Sequence, residues 1–150
     1  MATLPSLTKS VLLLACVFVA QAATAVDFRS ASRHGVLLYQ QPQDAAAKLF
    51  VVSRGTPLEV LTEQGEWLRV RDRQGSLAWV KKADLSATRQ VEVLRSTSVH
   101  GQADSASPVV FKAEPGLLLN LLDNARNGWL RVKHQGGQEG FIRIEEVWGA

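Results

Sequence analysis

The chain has a single cysteine, Cys16, among its 150 residues. It falls in the first 25 residues, which read as a removable segment, so the remaining chain has no thiol. That excludes disulfides, thiolate metal ligation and a cysteine nucleophile there. Acidic residues are missing before Val26, where Lys9 is the only base. No run approaches the roughly 20 apolar residues needed to cross a hydrocarbon core, so no stable membrane span is expected in the mature chain. His34, His100 and His134 have no H-x-x-x-H spacing, and there is no G-x-S-x-G. Neither metal nor cofactor is implied, and an enzyme is not expected. Lys and Arg number 17 against 14 Asp and Glu. Without Lys9 the excess is +2, and no basic stripe of the kind that binds nucleic acid is visible.

The first 25 residues have the order of a secretory signal. Val11 to Ala20 (VLLLACVFVA) is unbroken and apolar, and Ala23-Thr24-Ala25 supplies the A-x-A cleavage pattern. Cleavage after Ala25 is expected, with Ala20-Gln21-Ala22 as a second possible cut. This implies export to the periplasm. Lipidation of Cys16 is the alternative, but Val17 to Ala20 stay apolar where a lipoprotein turns polar.

What the rest contains is a repeat, a feature best sought before fold assignment. Gly65-Glu66-Trp67-Leu68-Arg69-Val70-Arg71 matches Asn127-Gly128-Trp129-Leu130-Arg131-Val132-Lys133. Gly75 and Gly137, Trp79-Val80-Lys81 and Phe141-Ile142-Arg143, and Asp84-Leu85 and Glu146-Val147 continue the match at an offset of 62. Upstream, Leu49-Phe50 and Gly55 match Val110-Phe111 and Gly116 at 61. One residue is therefore inserted before Trp129, and a turn is where an insertion disturbs pairing least. Module one is expected over residues 27–87 and module two over 91–150. The link near Thr88 to Gln90 has no Gly or Pro and does not read as a flexible tether.

Each module reads as strands. Leu58 to Thr62 is apolar and β-branched. Trp67 to Arg71 alternates, sending Leu68 and Val70 to one face and Trp67, Arg69 and Arg71 to the other. Arg73-Gln74-Gly75 and Gln135-Gly136-Gly137 are turn signals, and Leu77 to Lys81 returns. Asp44 to Lys48 suits a helical turn, but its counterpart holds Pro108, which argues against a helix. Short strands at this spacing indicate an all-β fold of small barrels or sandwiches. A unit of about 60 residues buries only about 60% of its unfolded surface, so packing one module on the other would stabilise both.

The order of these signals carries a resemblance: a divergent opening loop, Leu-Phe or Val-Phe, Gly, a β run, Gly-x-Trp or Gly-Trp, a basic alternating strand, a Gly turn, an aromatic strand and a closing helical turn. It resembles the bacterial SH3 (SH3b) domain, twice in tandem. The mature chain as a whole is similar to a group of small exported bacterial proteins ending in Val-Trp-Gly-Ala, here Val147 to Ala150. The resemblance implies two SH3-like small β-barrels after the signal peptide. The opening segments, Leu38 to Pro42 and Val99 to Ala103, depart from the Asn-Val-Arg-x-Gly-Pro pattern of that family.

The candidate binding face combines Trp67, Arg69 and Arg71 with Trp129, Arg131 and Lys133. Tryptophan stacks with cations, and arginine offers a carboxylate a bidentate fork. The bland alternative is that each Trp covers the end of its barrel while the bases are merely solvated. Tyr39 and His100 occupy matching places in the opening loops, where the resemblance implies a peptide groove; packing of Tyr39 on its own barrel is the alternative. Trp79 and Phe141 are expected in the core or half in it. Trp148 is expected to anchor the tail or to seal the two modules together. The leading expectation is a non-catalytic binding module for peptidoglycan stem peptide or an extended segment of an envelope protein. The other is an adaptor subunit without affinity for the wall.

Overall fold

The computed structural model describes residues 25–150 and residue 3. The apolar run, Cys16 and the cleavage motif before Ala25 lie outside the described residues. Module one contains β1 (Asp27–Ala31), β2 (Val36–Tyr39), β3 (Lys48–Val52), β4 (Pro57–Gln64), β5 (Trp67–Arg71), β6 (Leu77–Lys81) and β7 (Leu85–Ser86). Module two contains β8 (Gln90–Val93), β9 (Thr97–His100), β10 (Val109–Ala113), β11 (Leu118–Arg126), β12 (Trp129–Lys133), β13 (Glu139–Arg143) and β14 (Val147–Trp148). A 3-10 turn precedes each last strand, at Lys82–Asp84 and Ile144–Glu146. Residues 44–48 form no helix.

The two sheets have the same order, β3-β2-β6-β5-β4-β1-β7 and β10-β9-β13-β12-β11-β8-β14. All pairings are antiparallel. The alternation read from the sequence sets which side chains face inward. Leu68 and Val70, with Ala78 and Val80 across the pair, join Val36, Leu38 and Leu58 in one core. Leu130, Val132 and Ile142 join Val91, Val93, Val99 and Leu119 in the other. Burying each such side chain is worth about 1.5–3 kcal/mol, and these cores stand in for the absent disulfides.

The inserted residue sits beside a turn, as a bulge. β4 and β11 share a register shift, at Val60/Thr62 and at Leu121/Asp123, but β11 has a second at Asn124/Arg126. Arg126 absorbs it at φ 68°, and Asn127-Gly128 make the turn at φ 51° and 81°. Asn-Gly is the pair that tolerates two positive φ values in a tight hairpin.

The modules meet along a seam. Phe28 of β1 packs edge-to-face on Trp148 of β14, with centroids 5.1 Å apart. Such a pair adds about 0.5–1.5 kcal/mol beyond the area it buries. The Arg89 guanidinium lies 5.8 Å from the centre of the Phe28 ring and donates to the Gly149 carbonyl at 2.9 Å. Arg73 of module one pairs with Glu92 of module two at 3.1 Å. A Cβ on Gly149 would stand 2.7 Å from the Gln90 carbonyl and 2.9 Å from Pro57, so only glycine fits the approach. Burial raises the Glu92 carboxyl pKa, and Arg73 opposes the shift.

Candidate functional site

The face opposite each core carries the sequence-derived candidates. Paired residues on adjacent antiparallel strands project to one face. The register aligns Tyr39 with Trp79 and Trp79 with Arg69, making a row across β2, β6 and β5. Trp67 lies opposite Lys81 in the adjoining row. Tyr39 and Trp67 meet edge-to-face at 5.1 Å and 86°. Lys81 Nζ lies 5.6 Å from the Trp67 ring centre and Lys48 Nζ 5.5 Å from that of Tyr39. Asp44, in the opening loop, pairs with Lys81 at 2.5 Å. That hydrogen bond raises the Lys81 pKa. Tyr39 is buried beneath this cluster, Trp67 is half-buried and Arg69 is exposed.

Module two repeats the arrangement. His100, Phe141 and Arg131 form the row, and Trp129 lies opposite Arg143. His100 and Trp129 meet edge-to-face at 5.8 Å, with the Arg143 guanidinium 5.5 Å from the Trp129 ring centre. His100 Nδ1 lies 3.0 Å from the Ser107 carbonyl. A carbonyl only accepts, so Nδ1 carries the proton.

The candidate cations separate into two kinds. Arg71 is taken up by Glu59, a carboxylate 8% exposed, through a 2.7 Å hydrogen bond. Arg131 and Lys133 both turn to Glu139, at 2.8 and 3.5 Å. The Arg131 hydrogen bond holds the Glu139 carboxyl below its ordinary pKa. Arg69 has no ion pair among the described residues. At the offset of 62, Leu77 stands where module two has Glu139, and Leu77 has no carboxylate to offer.

Trp79 and Phe141 are half-buried, as one of the two expected placements had it. Both lie on the outer face, because the inward positions of their strands belong to Ala78 and Val80 and to Gly140 and Ile142. Sequence reasoning also left out Lys81 and Arg143, the cations over the tryptophans. The signal was present, since both are basic at matching positions of the repeat. Among the described residues no group of three His, Cys, Asp or Glu is placed to hold a metal ion. No helix among them is long and apolar enough to cross a membrane.

Among solved structures, the chain is similar to NlpC2 from Trichomonas vaginalis at 13% identity and a TM-score of 0.40. NlpC1 from the same organism gives 14% and 0.39, and an NlpC/P60 family protein from Bacillus cereus gives 12% and 0.38. These alignments cover 86%, 92% and 81% of this chain, but only 50%, 51% and 56% of the others. The chain thus spans about half the length of the structures it matches. No curated protein sequence matches it. The bacterial SH3 domain family matches residues 32–87 and again residues 99–149, one stretch in each module. The chain belongs to the bacterial SH3 domain family, with two copies of the domain in tandem.

Proposed function

We propose that the chain is an exported, non-catalytic binding module of the cell envelope, its signal peptide removed after Ala25. Its two SH3-like barrels span residues 27–87 and 91–150. The ligand is a peptide, either the stem peptide of peptidoglycan or an extended segment of a partner protein. The observation that carries this reading is the floor of Tyr39, Trp67 and Trp79, with Arg69 at its side and in no ion pair among the described residues. Aromatic surface buries an apolar side chain, and a free guanidinium recognises a carboxylate through two parallel hydrogen bonds. Module two has the same floor, but its Arg131 is already held by Glu139. Module one is therefore the binding copy.

The test is retention on purified sacculi. A buried aromatic anchor is worth about 2 kcal/mol or more, roughly thirtyfold in affinity. Trp67→Ala should lower retention by that factor and Arg69→Ala by less, with circular dichroism unchanged. If the wild-type protein is not retained, wall binding is refuted. The adaptor reading then takes precedence, and it requires cross-linking in cells to one defined envelope protein through the same face.

A further inference from the structure

We propose a second binding surface, the outer edge of β3, which takes an extended segment of a partner protein by strand addition. β3 is the terminal strand of its sheet and pairs only with β2 among the described residues. Its outer backbone groups are a template for another strand. Leu49, Phe50 and Val51 are 41%, 43% and 66% exposed, and no charge or proline interrupts them.

The second module shows what a protected edge looks like on this fold. β10 holds the matching terminal position. There Lys112 replaces Val51, and Pro108 precedes the strand. Lysine and proline are the residues that blunt an edge against unwanted pairing. The strands at the opposite ends of the sheets, β7 and β14, are protected by length, having two residues each. Among the described residues, β3 has a lysine only at its first position, Lys48, and no charge or proline at its exposed centre, Leu49 to Val51.

Charge and shape choose the occupant. Lys48 and Arg54 bracket the exposed run, with no acidic residue between them. Lys48 opens β3, and Arg54 lies in the turn just beyond its end. The complementary segment alternates apolar side chains and carries an acidic residue near each end. A second copy of this chain is disfavoured. Antiparallel self-pairing sets Lys48 near Arg54, and parallel self-pairing sets each against itself; like charges opposite one another destabilise a sheet. A cleft between the modules adjoins the edge. It has a volume of about 400 Å³, and Phe50, Val51 and Val52 line it together with Arg73, Glu92 and Leu118. It offers an alternate side chain of the added strand a place to insert, and strand-addition complexes draw their specificity from such pockets.

The probe is a fluorescent peptide Asp-Val-Thr-Val-Thr-Val-Asp, titrated by anisotropy against the intact protein. A control peptide replaces both Asp with Lys, and a second N-methylates alternate amides. Val51→Lys copies the solution found in module two at an exposed position, so folding should be unaffected. Binding of the acidic peptide, weakened about tenfold or more by Val51→Lys and by N-methylation but not by Trp67→Ala, is the expected result. Four results would overturn the proposal: no binding below about 1 mM, equal binding of the Lys-flanked peptide, indifference to Val51→Lys, or a solution dimer of the free protein that Val51→Lys dissolves. Sacculus retention of Val51→Lys should equal that of wild type, so failure of this surface is distinguishable from failure of the aromatic one.

Discussion

Module one and module two share a core and differ on the surface that would meet a ligand. Leu58, Leu68, Val70 and Val80 correspond to Leu119, Leu130, Val132 and Ile142, all at most 1% exposed. Outside the core, the matching residues have been given different partners. Arg71 pairs across to Glu59 on β4, whereas Lys133, its counterpart, faces Asn120 there and turns to Glu139 on β13. Asn120 instead accepts a hydrogen bond from Gln90 at 2.8 Å. Trp67 is half-buried and Trp129 is 6% exposed. The difference teaches that packing constrains this repeat more tightly than recognition does. A core position must fill a fixed volume, while a surface cation needs only some carboxylate within reach.

The strongest way to test the equivalence of the cores is to open both. Leu68→Ala and Leu130→Ala should each cost about 2–5 kcal/mol, read from urea denaturation, and a clear inequality would show that the cores are less alike than their packing indicates. Next in size is the seam. Trp148→Ala should remove about 2 kcal/mol and split a single thermal transition into two, one for each module. A transition that stays single would mean that other seam contacts suffice to couple the modules.

Exchanging the residue that distinguishes the two faces gives a smaller effect on stability and a larger one on binding. Leu77→Glu should engage Arg69 as Glu139 engages Arg131, and reduce sacculus retention toward that of Arg69→Ala. Glu139→Leu should release Arg131 and add binding at module two. Both changes are at exposed positions and should alter stability little. If Leu77→Glu leaves retention intact, the asymmetry between the modules lies elsewhere.

The smallest expected effect is on pH dependence, and it has opposite signs in two carboxyls. Glu139 has a folded pKa below its ordinary value, held there by Arg131. Its contribution is present above the ordinary value and lost as pH falls through the folded one. Glu92 has a folded pKa above its ordinary value because burial penalises its charge. In the window between those two values the folded state holds more protons than the unfolded state, so stability falls as pH rises through it. Glu92→Gln should flatten the upper part of the profile and Glu139→Gln the lower part, measured as the urea midpoint against pH. A profile unmoved by Glu92→Gln would show that the seam carries that charge at no cost.

Local features of this fold were legible in the sequence. The alternation of Trp67 to Arg71 correctly divided core from surface, and the offset of 62 placed the hairpins and the closing turns. The failures were non-local. Trp79 reads as core or half-core and is half-buried, but the face it takes follows from the parity of Ala78 and Val80, whose small volumes made the inward face easy to miss. That Tyr39 touches Trp67, or Phe28 touches Trp148, depends on which strands become neighbours, and no local pattern states that. The pairing of Arg131 with Glu139 was hidden for a related reason. Glu139 lies beyond a turn, and its significance emerges only when Leu77 is set beside it.

The seam has one further consequence. Phe28, Gly55 and Pro57 of module one correspond by strand register to Gln90, Gly116 and Leu118 of module two, and both sets lie at or beside the seam. The two pairs that hold the seam are not exchanged between the copies. Phe28 meets Trp148 and Arg73 meets Glu92, but the reciprocal positions hold Gln90 with Ser86 and Gln135 with Ser30. An isologous joint would make each contact twice. This joint makes them once, so the two copies are not interchangeable and their order in the chain matters.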